Sequence, residues 1–166
     1  MYVGGQKFGA GLMRSIARSI SLLALGLLTA CASLTPIKVA DIEGRKWRIA
    51  YFYDGSSLIR PEDRFSSKKV SEVTFTSGSK TGYPNGSLDG ETGCGSLDGF
   101  YKSDGSNVNI VGPAVIELGP CYEGDSQLSG KISDALNGTR SVTQTGGDIL
   151  LKDLNGRTQV VLTALD

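Results

Sequence analysis

The sequence predicts an all-β domain with one helix, preceded by an N-terminal export segment. Short apolar or β-branched runs recur at roughly ten-residue intervals and are separated by Gly, Pro, Asn and Asp, which is typical of strands joined by tight turns. The 23 glycines fit such turns better than a helical bundle. One segment, residues 125–137, shows helical spacing instead. The pattern favours a β-sandwich or a small antiparallel β-barrel, and a closed barrel would leave no bare strand edge.

The first strand is predicted over residues 45–53. Alternation places four residues on one face: Trp47, Ile49, Tyr51 and Tyr53. The basic residues on either side of Trp47 lie on the other face. This pattern is typical of a half-buried strand. Residues 54–69 are polar and are predicted to form a loop.

The remaining strands follow with turn signals between them. Asp104-Gly105, Gly146-Gly147 and Asn155-Gly156 are favoured two-residue turns, and Tyr83–Gly86 contains a Pro-Asn-Gly turn signal. The predicted strands are residues 70–76, 100–102, 107–110, 113–118, 140–145, 148–152 and 158–163.

The helix is predicted between Asp125 and Asn137. Asp125 or Ser126 is the expected N-cap, and Asn137-Gly138 is the expected end. The apolar residues at helical spacing are Leu128, Ile132, Ala135 and Leu136. We expect this face to plug or flank the β core; the alternative is an amphipathic face that binds a partner.

Composition excludes several classes of activity. The sequence has no histidine, which excludes Ser-His-Asp and Cys-His catalysis and any His-ligated zinc or haem. A GxSxG elbow and a phosphate-binding GxxxxGK[ST] loop are also missing. The 17 basic residues balance 17 acidic ones without a basic stripe, which argues against nucleic-acid binding. We therefore predict a protein that is not an enzyme and has no cofactor.

Residues 86–99 contain the pentapeptide Gly-Ser-Leu-Asp-Gly twice and are predicted to form glycine-rich turns. Asp89, Glu91 and Asp98 in this segment raise two further hypotheses, a calcium site and a catalytic acid/base pair. The ligand spacing of an EF-hand is absent, and nothing in the sequence places the acids across a substrate. Solvated acids on turns explain the same residues, so no metal site is predicted.

The first 30 residues have the pattern of a signal peptide. Arg14 and Arg18 precede an apolar run from Ile20 to Leu28. That run is about 14 Å long as a helix, too short for a hydrocarbon core of about 30 Å. Either Met1 or Met13 can be the start of translation.

The end of this segment, Leu28-Thr29-Ala30-Cys31, resembles the lipobox of bacterial lipoproteins. The resemblance implies cleavage after residue 30 and a lipid on Cys31, which would anchor the protein to a membrane. Ala32 follows the cysteine, which resembles the signal for sorting to the outer membrane, facing the periplasm. The alternative is an ordinary signal peptide that ends near a cysteine. We expect a lipidated tether over residues 31–40 and a domain over residues 41–166.

Lipidation of Cys31 would leave Cys94 and Cys121 as a pair. In an oxidising compartment a disulfide between them is expected, and it would stabilise the fold by about 3–4 kcal/mol. The alternatives are two free buried thiols and a redox-active pair. A redox-active pair is disfavoured because there is no CxxC spacing and no neighbouring cation in the sequence.

A set of short motifs in the domain occurs in a fixed order. They are Gly44 with Trp47, Leu88–Gly95, Gly99–Tyr101, Gly119–Cys121, the helix with Ile132 and Leu136, Asp148–Asp153 and Gly156–Leu162. In this order they resemble the META domain (HslJ-like) family, over about residues 41–165. Ile42 and Gly95 depart from the Leu and Asn that are usual in that family.

The resemblance implies a small antiparallel barrel with lipocalin-like topology and a helix. It also implies a non-enzymatic envelope protein that supports stress tolerance or envelope integrity through protein contacts. The alternative function is a barrel that binds a small apolar ligand, in a cavity lined by Tyr51, Tyr53 and Phe75. The sequence does not predict the partner protein or the oligomeric state.

Overall fold

The computed structural model describes residues 34–78, 86–117 and 120–165, and these ranges contain ten β-strands and one long helix. A 3-10 turn covers Val39–Asp41, a single helical turn, α1, covers Pro61–Arg64, and the long helix, α2, covers Glu123–Asn137. The strands are β1 Thr35–Pro36, β2 Lys46–Tyr53, β3 Leu58–Ile59, β4 Glu72–Ser77, β5 Gly86–Glu91, β6 Gly95–Asp104, β7 Asn107–Glu117, β8 Ser141–Thr145, β9 Asp148–Lys152 and β10 Thr158–Ala164. The predicted all-β fold with one helix is confirmed.

Eight strands pair into a closed antiparallel ring. From β4 to β10 each strand pairs with the next along the chain, and β2 pairs with both β4 and β10, which closes the ring. The two shortest strands lie outside the ring, β1 on β8 and β3 on β2. Because consecutive strands run in opposite directions, successive turns lie at alternate ends of the ring.

The long helix α2 packs mainly against β7. The pairing of β7 with β8 is limited to Asn107 and Ser141. The helix contacts β7, β2 and β10, and its Ser133 hydroxyl donates a hydrogen bond to the Pro113 carbonyl. Ile132 and Leu136 are fully buried in the core. The helix therefore flanks the β core, as its apolar spacing predicted.

The first ring strand is where side-chain alternation departs from the prediction. Tyr51 pairs with Val161 but Ile49 pairs with the next residue of β10, so β2 contains a bulge at Ala50. Beyond the bulge the alternation is reversed, and Phe52 is buried in the core. The prediction that Tyr51 and Tyr53 share the buried face of Trp47 and Ile49 is therefore wrong.

The glycine-rich segment is also different from the prediction. Residues 86–99 form β5 and the first half of β6, which pair so that Leu88 lies opposite Gly99 and Asp89 opposite Asp98. Only residues 92–94 turn between them. The strand alternation was hidden because glycine occupies several positions at which a neighbouring chain lies too close for a Cβ atom.

Three other boundaries differ. The predicted loop 54–69 contains β3 and α1, and the predicted strands 107–110 and 113–118 are one strand that continues through Gly112. The helix begins at Glu123 rather than at a capping Asp125 or Ser126, and its N-cap, Tyr122, makes no side-chain capping bond. Asp125 instead lies within the first turn.

The chain joins the ring before residue 41. β1 pairs with β8, and Val39 and Ile42 are buried against the core, where the indole nitrogen of Trp47 donates to the Ile42 carbonyl at 2.8 Å. Residues 35–40 of the predicted tether therefore lie on the domain. The predicted signal peptide, Cys31 and most of the Tyr83–Gly86 turn lie outside the described residues. Within the described ranges, no helix has the length and apolar character to cross a membrane.

Candidate functional site

The two cysteines of the domain meet where β5 turns into β6. The Sγ atoms of Cys94 and Cys121 lie at disulfide distance and the Cα atoms are 5.8 Å apart, within the normal range for a disulfide. Cys94 is in the β5–β6 turn, and Cys121 is two residues before α2 begins. The bond therefore joins the start of the helix to one end of the ring.

The turn around Cys94 is organised by a buried threonine. The Thr92 hydroxyl oxygen accepts hydrogen bonds from the backbone N–H groups of Gly95 at 3.2 Å and Cys94 at 3.4 Å. It is also hydrogen-bonded at 2.9 Å to the hydroxyl of Ser129 on α2. Thr92 therefore forms a second link between the turn and the helix, independent of the disulfide.

A third link involves Asp125, which is buried in the first turn of α2. Its carboxylate accepts hydrogen bonds from the backbone N–H of Ser66 at 3.0 Å and from the Ser66 hydroxyl at 3.2 Å. A negative charge in the first turn is favoured by the helix dipole. Asp125 thus holds the loop after α1 against the start of the helix.

These links border an open groove with a volume of about 380 Å³. The disulfide forms part of its wall, and Lys69 and Glu91 line it with opposite charges. Tyr122 also lines the groove, and 74% of its surface is exposed. An open hollow with mixed polar and apolar walls suits a contact surface better than an enclosed small-molecule site.

A second hollow, of about 400 Å³, is shallower. It lies between the β6–β7 hairpin and Arg140, and it is bordered by Leu154, 83% of which is exposed. Its lining is mostly polar and includes Lys102, Asp104 and Asn109.

The structure places two of the three acidic residues opposite each other. Asp89 and Asp98 face each other across β5 and β6, and Asp89 accepts a hydrogen bond from the Ser87 hydroxyl at 2.8 Å. Glu91 lies at the end of β5 and lines the groove. In residues 34–78, 86–117 and 120–165, no group of three or more Cys, Asp or Glu side chains is placed to hold a metal ion.

Comparisons of the chain with protein-family profiles, with curated proteins and with solved structures returned no match. The resemblance to the META domain therefore rests on the short sequence motifs within about residues 41–165.

The structure does not bring together the three residues predicted to line an apolar cavity. Phe75 is buried and its ring packs edge-on against Tyr101, with centroids 5.6 Å apart. Tyr51 and Tyr53 are only partly buried, and each is covered by a guanidinium group, from Arg60 at 5.4 Å and Arg157 at 5.2 Å. The three aromatic rings therefore belong to different surroundings.

One buried polar pair was not predicted. Tyr101 is fully buried and its hydroxyl donates a hydrogen bond to the Glu43 carboxylate. Burial, followed by this hydrogen bond, raises the pKa of Tyr101 well above its ordinary value. Alternation along β6 from Leu97 could have placed Tyr101 inside, but the distant Glu43 has no signal in the sequence.

Proposed function

We propose that the chain is a non-enzymatic envelope lipoprotein of the META/HslJ type, anchored through Cys31 and supporting stress tolerance or envelope integrity through protein contacts. In this proposal the protein lies on the outer membrane, faces the periplasm and uses the disulfide-bordered groove as its contact surface.

The position of the groove carries the proposal. Thr35 pairs with Gln144, so the chain joins the ring beside the β8–β9 turn. The groove is at the β5–β6 turn, and these two turns lie at opposite ends of an up-and-down ring. A lipid on Cys31, only three residues before Leu34, would hold the first end within about 11 Å of the anchor. The groove would then lie at the end of the ring opposite the one that the anchored segment joins.

The packing of the core favours protein contacts over the alternative, a barrel that binds a small apolar ligand. The interior of the ring is occupied by side chains from the strands, from α2 and from the residue after α1, among them Phe52, Phe65, Phe75 and Leu136, all fully buried. Both hollows described above open on the surface. Exposed tyrosine, such as Tyr122 at the groove, is a residue type enriched among the energetically dominant contacts of protein interfaces.

Site-specific photo-crosslinking in intact cells tests the proposal. A photoreactive phenylalanine analogue is placed at Tyr122, and in a matched variant at Leu154, which is also highly exposed but borders the other hollow. We expect discrete protein adducts from position 122, loss of those adducts when Cys31→Ser is added, and no corresponding adducts from position 154. Equal adducts from the two positions, or none from position 122, would contradict a role for the groove.

A further inference from the structure

The disulfide is the one covalent link among the three that join α2 to the β5–β6 turn, and it lies in an open groove. Cys94 is nearly buried, whereas Cys121 is more exposed and lies between exposed Pro120 and Tyr122. Cys121 is thus only partly buried and lines the open groove while the ring is folded.

We propose that Cys94–Cys121 is a redox site for a dithiol protein of the envelope, and that its reduction releases the start of α2 while the domain stays folded. The substrate class is a protein dithiol of the thioredoxin-like type, which approaches through the groove.

The exchange proceeds in two balanced steps. A thiolate of the dithiol attacks Sγ of Cys121, a mixed disulfide forms, and Cys94 leaves as a thiolate that takes a proton from water. The second thiolate of the dithiol protein then attacks that protein's own sulfur in the mixed disulfide. Cys121 leaves as a thiolate and is also protonated. Two electrons and two protons pass to the cysteine pair, and the dithiol becomes a disulfide.

The groove contains a cationic side chain that is not next to either cysteine in the sequence. Lys69 is distant in sequence but lines the same groove as both sulfur atoms, and a cation favours the approach of a thiolate. Glu91 also lines the groove and has the opposite charge. Access to Cys121 and the position of Lys69 together distinguish this disulfide from one enclosed in a core.

The remaining contacts explain why reduction would leave the fold intact. Asp125 still accepts two hydrogen bonds from Ser66, and Thr92 still pairs with Ser129. Further along α2, Ile132 stays packed in the core. Among the described residues, those at 120–124 have no comparable hydrogen bond through a side-chain oxygen or nitrogen to the ring or to the loop after α1. Release on reduction is therefore confined to residues 120–124. The envelope location of the dithiol protein, and any change in the groove as a partner surface, rest on the proposed function, but the exchange chemistry does not.

The rate of reduction under native conditions tests the proposal. The full chain in detergent is treated with dithiothreitol as the small dithiol probe, at urea concentrations below the unfolding transition, and free thiols are trapped by alkylation and counted by mass spectrometry. We expect a rate that is first-order in dithiothreitol and changes less than twofold with urea. A rate that rises with urea in parallel with the unfolded fraction would overturn the proposal, because reduction would then require global unfolding.

A double variant, Cys94→Ser with Cys121→Ser, provides a permanently open form. Hydrogen exchange should be about tenfold faster or more at the backbone amides of Asp125 and Ser126, which donate to the Tyr122 carbonyl, and unchanged in β2 and β10. Faster exchange throughout the ring, or failure of the variant to fold, would contradict the claim that the disulfide acts locally. Neither measurement involves a partner, so either can fail while the photo-crosslinking result stands.

Discussion

Substitution of Gly90 by alanine tests why glycine is so frequent in residues 86–99. Gly90 lies in β5, opposite Val73 on β4 and Leu97 on β6. A Cβ atom at this position would be 2.1 Å from the carbonyl oxygen of Glu72, about 0.9 Å closer than the 3.0 Å limit that real Cβ atoms respect. The obstructing atom is backbone, so no side-chain rotation relieves the clash and β4 and β5 must separate. We expect Gly90→Ala to lower the free energy of unfolding by about 3 kcal/mol, the upper part of the range for overpacking.

The assay is urea unfolding of the full chain, followed by the fluorescence of its single tryptophan, Trp47, which is buried. Gly147→Ala is the matched control, because a Cβ atom there meets nothing within 4 Å and φ is not in the left-handed region. We expect the control to change stability by less than about 0.5 kcal/mol. If Gly90→Ala is as stable as the control, close strand packing is not the reason for the glycine, and the reasoning is refuted.

Three further predictions concern the helix, the sheet surface and the buried tyrosine. Gly130 is exposed within α2 and a Cβ atom would meet nothing within 4 Å, so Gly130→Ala should raise the free energy of unfolding by about 0.5–1 kcal/mol in the same urea assay; a loss of stability would contradict the placement of this residue. Asp98 faces Asp89 directly, so Asp98→Lys should raise stability by about 0.2–1 kcal/mol, and the gain should shrink in high salt; a gain independent of salt would indicate another cause. The pKa of Tyr101 is raised above its ordinary 10.0 by burial and by Glu43, so the stabilisation that the protonated hydroxyl provides is complete below about pH 10 and is lost as pH rises further. The melting temperature of Tyr101→Phe should therefore fall less at alkaline pH than that of the wild type. An identical fall in the two proteins would contradict the assignment.

The sequence predicts well those strands that are rich in Val, Ile, Leu and Thr and bounded by clear turn residues. β4, β9 and β10 lie within a residue or two of the predicted ranges for this reason. β5 was missed for a physical reason. Its glycines are required by the neighbouring backbone, and in a sequence read without that neighbour they look like turn residues. The bulge at Ala50 has no local signal either, since it depends on pairing with the distant strand β10.

The candidate site was predictable only in part. The pairing of Cys94 with Cys121 follows from the cysteine count once Cys31 is assigned to a lipid, and the structure places the two at disulfide distance. The groove itself is assembled from segments far apart in sequence, including Lys69 and Tyr122. Asp125 was predicted as a cap, but it binds Ser66 because the loop after α1 folds back onto the helix. Such contacts depend on tertiary packing, which periodicity does not encode.

Fatty-acid labelling at Cys31 tests the central claim most directly. Cells expressing the full chain or Cys31→Ser are grown with a clickable palmitate analogue, and the purified proteins are compared by in-gel fluorescence and by mass spectrometry of the N-terminus. A lipoprotein with a 30-residue signal peptide predicts label only on the wild-type chain, on an N-terminal peptide that begins at Cys31. Equal labelling of the two proteins, or an unlabelled wild-type chain, would contradict the anchor and the envelope function built on it.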